Sequence, residues 1–255
     1  MKYRLPALAL TIGIAVSLFS SCKTSSTSPA VNVDTTGFDA RGSDYFPVSA
    51  TDIVSAHFRG AESRFDLNGS LIELDSIDQD RTAFVMGSAQ LLGLPGFSIG
   101  AYNDRGNTTN SGRPSAYVAL ANGNVYGSDK DASTKALALP NALSLGFSWN
   151  PDPNGDPRYK ASLAHYLTSF TNHNGNTYQS VIQVEGTYTD STYSLQGSSA
   201  HINVVNVGAT FYFAKGIGPV EINLHQYDLH GYTVDAGGIH EYERDIMNGA
   251  ISRNR

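Results

Sequence analysis

Cysteine is almost missing from this chain: Cys22 is the single one in 255 residues. That excludes an internal disulfide, and it excludes zinc and redox sites built on cysteine pairs. Charge is scarce as well, at 16% of residues, and its balance is acidic, with Lys+Arg 17 against Asp+Glu 23. A net of −6 argues against nucleic acid, and against charge-driven binding to an anionic lipid surface. No long acidic or basic run and no clear internal repeat is present. Strand-like and helix-like segments do not alternate, which removes the parallel α/β folds. In their place stand 14 Tyr, 25 Gly and abundant Ser, Thr and Asn, the profile of an extracellular β protein.

The first residues form three parts. Lys2 and Arg4 are positive, Leu5 to Phe19 is largely apolar, and Ser20-Ser21 supplies the small residues a signal peptidase needs. The apolar stretch is shorter than the about 20 residues of a spanning helix, and Pro6 interrupts it. Leu18-Phe19-Ser20-Ser21-Cys22 resembles the lipobox of bacterial lipoproteins. The resemblance implies that residues 1–21 are a signal peptide, that Cys22 is diacylated after cleavage, and that the new N-terminus is acylated too. An ordinary secretory signal with a chance cysteine is the plain alternative. Cleavage would take Lys2 and Arg4 and no acid, moving the net charge from −6 to −8. Lys23 to Thr36 is rich in Ser and Thr without apolar periodicity, so residues 22–43 are expected to form a flexible tether. Two or three acyl chains, at about 0.8 kcal/mol per buried CH₂, give a stable anchor where one would be marginal.

Turn signals recur beyond the tether. Asn-Gly occurs at 68–69, 122–123, 154–155, 174–175 and 248–249, a dipeptide suited to type I′ hairpin turns. The clearest case joins Ala116–Ala121 to Asn124–Tyr126. Period-two alternation marks strands at Ser70–Gln79, Thr177–Tyr188 and Gly218–Asp228, and His201–Phe213 is apolar enough for one or two more. Tyr159–Phe170 fits strand or helix, because Leu163, Tyr166, Leu167 and Phe170 also follow helical spacing. Strand is preferred there because the neighbours are strands. The expected fold is all-β, about nine to twelve strands in a single antiparallel curved sheet, closing as a β-roll, half-barrel or barrel, with a sandwich as the other arrangement. It occupies residues 44–250, and residues 251–255 form a C-terminal tail.

Asp44-Tyr45-Phe46-Pro47-Val48 resembles the "YFPL" opening of a broad group of bacterial envelope lipoproteins. Ser49 to Phe58 departs from that pattern, having neither its glycine nor its tryptophan. Phe211-Tyr212-Phe213-Ala214-Lys215-Gly216-Ile217-Gly218-Pro219-Val220 is similar to the group's "YFAKGVGLV" strand–turn–strand, and Leu145–Trp149 to a "VG..W" strand. The resemblance implies a curved antiparallel sheet and assigns no catalytic residue. It also implies the periplasmic face of the outer membrane as the location, with surface exposure as the variant.

Chemical motifs are few. Gly96-Phe97-Ser98-Ile99-Gly100 matches the G-x-S-x-G nucleophile elbow, which works where a strand turns sharply into a helix. Here the following Ala101–Asn107 reads as a loop, so a Ser98-dependent hydrolase is the lesser reading. Asp152, Asn154 and Asp156 place oxygens at alternate positions, as calcium loops do, but Pro157 and Leu163 stand where such a loop wants Gly and Glu. A proline-stiffened turn is the simpler account. His225, His230, His240 and Glu241 lack the spacing of a zinc helix. Glu73 and Asp75 share one strand face and are read as solvated, and Gly216-Ile217-Gly218 is followed by Pro219 and no helix, so it is read as a tight turn. No catalytic residue, cofactor or metal is assigned, and Cys22 is the one site residue. The expected function is a lipid-anchored envelope protein that binds a lipid, glycan or envelope partner without catalysis. The alternative is a structural or surface component with an interaction face and no small ligand.

Overall fold

The computed structural model describes residues 40–49, 53–65, 70–102, 114–196, 199–235, 238–239 and 243–254. Among them are thirteen strands, one short 3-10 turn at Gly42–Tyr45 and no α-helix. The strands are β1 (Ile53–Phe65), β2 (Leu71–Leu91), β3 (Leu94–Tyr102), β4 (Ala116–Ala121), β5 (Asn124–Asp129), β6 (Ala136–Leu139) and β7 (Ser148–Trp149). There follow β8 (Tyr159–Thr171), β9 (Thr177–Gln196), β10 (Ser199–Ala214), β11 (Gly218–Asp235), β12 (Gly238–Ile239) and β13 (Glu243–Arg253). All join one antiparallel sheet in the order β6-β5-β4-β3-β2-β1-β13-β11-β10-β9-β8-β7, with β12 paired to β11. The sheet is curved and its ladder is not closed, which is the all-β, single-sheet expectation. Two single bonds nevertheless tie its edge segments. Trp149 Nε1 donates to the Leu137 carbonyl at 3.0 Å, and the Leu137 amide donates to the Pro151 carbonyl at 3.1 Å.

Asn122-Gly123 makes the β4–β5 hairpin as its sequence requires. Asn122 has φ 53° and Gly123 φ 82°, both in the region a type I′ turn needs. Asn174-Gly175 sits in the β8–β9 turn and Asn154-Gly155 in the turn before β8, but in both only the glycine has positive φ. The pair at 68–69 lies outside the described residues. Asn248-Gly249 is a correction: it lies within β13, not in a turn. Gly249 leaves room for Phe58 there, because a Cβ would stand 3.0 Å from the Phe58 ring, a tight contact. Two boundaries also differ from expectation. β13 runs through Arg253, so residues 251–253 are ladder and not tail. At the other end, Ala40 already bridges Leu143 and the 3-10 turn begins at Gly42.

Tyr159–Phe170 is strand, held between β7 and β9. Its helix-like spacing has a physical origin. A register shift between Leu163 and His165 inserts one residue, so Leu163 and Tyr166, three apart, both serve the main core. In β9, Ser180 has φ 52°, and around it Tyr178 and Val181 meet a second, smaller cluster with Leu167, Phe170, Ala214 and Val220. The main core is a single cluster drawn from nearly every strand, with Phe58, Val118, Val125, Leu163, Ile182 and Phe211 among its buried members. Burying each such side chain contributes about 1.5–3 kcal/mol relative to exposure, so the inner face holds the fold without disulfides.

Ahead of β1, the stretch Ala40–Ser49 forms a strap from one part of the curved sheet to another. The Gly42 amide donates to the Pro140 carbonyl at 2.8 Å, and Ser43 to Gly123 at 2.9 Å. At the far side the Gly216 amide donates to the Asp44 carbonyl at 2.7 Å. A Cβ on Gly42 would lie 2.6 Å from Leu139 Cβ, so glycine lets the strap lie down on β6. Tyr45 is buried, and the Phe46 ring tilts against Phe213 at 6.2 Å.

Candidate functional site

Beneath the end of that strap is a cavity of about 440 Å³. Phe46, Pro47 and Val48 of the strap form one side. Val85, Ile99 and Val118 come from β2, β3 and β4, and Phe211, Ile222 and Ile251 from β10, β11 and β13. These positions share the inner face of the sheet, as cross-strand pairs such as Val85↔Ile99 and Ile222↔Ile251 require. The rim carries Ile53, Ser49 and Ile217, all exposed, with Arg253 and the outer-face residue Glu221 at the same end. The cavity falls within the about 300–1,000 Å³ of small-molecule sites, and its lining is dominated by aliphatic and aromatic side chains.

Next to it lies a hydrogen-bonded polar cluster on the outer face. Glu221 is buried, with 3% exposure. Its Oε2 accepts from Ser252 Oγ at 2.8 Å and from the His173 amide at 2.7 Å, and pairs with His173 Nδ1 at 2.7 Å. Its Oε1 accepts from Asn223 at 3.3 Å. Asn172 donates to the Arg253 carbonyl at 2.9 Å and Asn174 to the Ser252 carbonyl at 2.9 Å, so the β8–β9 turn clamps the end of β13. These partners satisfy a carboxylate that would otherwise be costly to bury. Burial first, then the charges of Glu221 and Glu185, push the Tyr212 phenol up to about 12.

Each residue singled out in the sequence has a place or lies outside what is described. Cys22, His240 and Glu241 are outside the described residues, and for His230 only the strand backbone is described, opposite Glu243. His225 is exposed on β11. Ser98 sits in the middle of β3, where its hydroxyl donates to the Gly87 carbonyl at 3.3 Å. A mid-strand serine in a ladder is not a strand-to-helix elbow. The flanking glycines have another cause. A Cβ on Gly96 would stand 2.1 Å from the Val118 carbonyl oxygen, and one on Gly100 2.5 Å from the Phe84 ring.

The acidic turn before β8 spends its oxygens on the protein. Asp152 Oδ2 accepts from the amides of Asn154 at 2.8 Å and Asp156 at 3.0 Å. The Arg158 guanidinium beside Asp156 holds that carboxyl below its usual range, and its Nη1 pairs with Asp190 at 2.7 Å. Glu73 is exposed and pairs with Arg64 at 2.9 Å, and Asp75 is exposed. Gly216 and Gly218, φ 72° and 98°, make the tight turn between β10 and β11, and Lys215 there lies 3.9 Å from Asp44. Sequence reading missed His57, which meets Asp78 through Nε2 at 2.8 Å and Asp80 through Nδ1 at 2.9 Å. Its hydrogen bond lowers the Asp80 pKa. The two carboxylates approach opposite ring nitrogens, so they do not converge on one ion. Among the described residues, no group of three His, Cys, Asp or Glu is arranged to hold a metal.

The chain is thus an all-β protein whose one curved antiparallel sheet, strapped by its own N-terminal segment, carries an apolar cavity on its inner face. No family model matches it, and no curated protein or solved structure is significantly similar to it.

Proposed function

We propose that this is a lipid-anchored protein of the cell envelope, held by Cys22, that binds a small apolar molecule of the lipid class without catalysing a reaction. The carrying observation is the cavity, whose lining offers hydrocarbon contact over most of its surface and few groups to satisfy a sugar's hydroxyls. The lipobox-like Leu18–Cys22 and the Ser/Thr-rich tether support the anchor, and by resemblance the periplasmic face of the outer membrane is the proposed place. Native mass spectrometry of protein released gently from bacterial membranes is expected to show two separable masses. One is covalent, carried by Cys22, and disappears with Cys22→Ser. The other is a non-covalent acyl lipid, and it disappears with Ala83→Trp, which fills the cavity. Protein that arrives empty, and that takes up no fluorescent fatty-acid analogue, would rule the lipid reading out.

A second reading, an interaction face for another envelope protein, rests on the distal part of β2. Every side chain from Ser70 to Ser76 is exposed, including Leu71, Ile72 and Leu74 at 50–57%. Adjacent exposed aliphatic side chains of this kind mark contact surfaces. A photo-crosslinker at Ile72 in intact cells is expected to capture one discrete partner, with Leu74→Asp abolishing capture. Absence of any adduct would remove this reading.

A further inference from the structure

Arg253 is the basic side chain among the described residues that lines the cavity. It lies opposite Ala56, a buried inner-face position, and two residues beyond the core residue Ile251. Its Nη1 donates to the Ile217 carbonyl at 3.0 Å, at the exposed rim. Among the described residues, no carboxylate pairs with it. The described acids nearby are already engaged. Glu221 faces the other side of the sheet and is held by Ser252, His173 and Asn223. Asp44 lies against Lys215, and Asp80 against His57 and Asn254. A guanidinium at the mouth of an apolar cavity, with no carboxylate partner among the described residues, is the arrangement that orients an amphiphile, with its chain inside and its anionic head on the planar donor fork. Such a fork matches the two oxygens of a carboxylate. At about 440 Å³ the space lies near the small end of the range for ligand pockets, which suits one chain and not two.

Building on the lipid reading above, we infer that the cavity takes a single-chain fatty carboxylate, with its hydrocarbon among Val85, Ile99, Phe211 and Ile222 and its head group on Arg253. The test uses the exported chain carrying Cys22→Ser, so that no detergent competes for the cavity. Hexadecanoate, hexadecanol and hexadecyl phosphate are titrated by calorimetry below their aggregation limits. Hexadecanoate is expected to bind about tenfold more tightly than hexadecanol, the difference one charge-assisted hydrogen bond supplies. Arg253→Gln should bring hexadecanoate down to the alcohol's affinity and leave the alcohol unchanged, while Arg253→Lys, which keeps the charge, should restore part of the difference. A guanidinium that merely holds the Ile217 turn would weaken all three probes alike, and that result overturns the inference. Acid and alcohol binding equally, both insensitive to Arg253→Gln, overturns it too, while the lipid reading survives. Binding of hexadecyl phosphate in preference to hexadecanoate overturns the carboxylate assignment. Binding of none of the three overturns this inference and the lipid reading together. Should Arg253→Gln lose its β-sheet circular dichroism, the Arg253→Lys variant and the acid-to-alcohol ratio of the unsubstituted site decide.

Discussion

Tyr212 stacks on Phe170 with ring centroids 4.1 Å apart, and its phenol lies near two carboxylates, Glu221 and Glu185. Burial contributes most to raising its pKa, and those charges add to it. The folded chain therefore holds this proton more tightly than the unfolded chain, whose tyrosine ionises near 10. The corresponding stability is complete below pH about 10 and is lost as pH rises toward about 12. Tyr45 acts in the same direction, raised first by burial and then by Tyr166 and Asp44. Urea titrations between pH 9 and 12 are expected to show a falling midpoint. Tyr212→Phe should flatten part of that fall and leave the remainder to Tyr45. A Tyr212→Phe curve superimposable on the unsubstituted one would mean the phenol ionises in the folded state as readily as in the unfolded.

At the scale of elements, the edge strands have little ladder of their own. β7 has two residues and β6 four, and the Trp149 indole is one of two links between their segments. Trp149→Phe is expected to cost about 1 kcal/mol for the lost hydrogen bond. Hydrogen exchange should place the damage: amides of β6 lose protection while those of β9 and β10 keep theirs. Uniform loss of protection across all strands would show the edges to be no separate unit. Which elements were readable in sequence follows from how local their causes are. Asn122-Gly123 declares its turn because the two residues alone satisfy its positive φ values. Asn248-Gly249 carries the same letters but answers to Phe58, a residue far away in sequence, so the local signal misleads. Tyr159–Phe170 reads as strand from its neighbours, but it kept a helical alternative because of a register shift that only the pairing with β9 reveals. The cavity was invisible for the same reason. Phe46, Ile99, Phe211 and Ile251 are ordinary apolar residues until the sheet curves them together. Arg253, expected in a tail, became notable only once β13 was seen to reach it.

The whole molecule is organised around a strand that arrives late. β13 lies between β1 and β11, in the interior of the sheet, and it brings Ala56 opposite Arg253. On one side of it, β1 to β6 follow each other as a meander, and on the other β7 to β11 do the same. Each meander can pair within itself, but the ladder that joins β1 to β11 cannot form until β13 exists. Until then β1 and β11 both present long rows of unpaired amides and carbonyls, the surfaces on which chains aggregate. Closing so distant a contact is also slow, since loop entropy must be overcome before the pairing rewards it. The ladder is in this sense a zip whose middle piece comes last in the chain, and a chain still without that piece is the one that most needs to be kept from its copies.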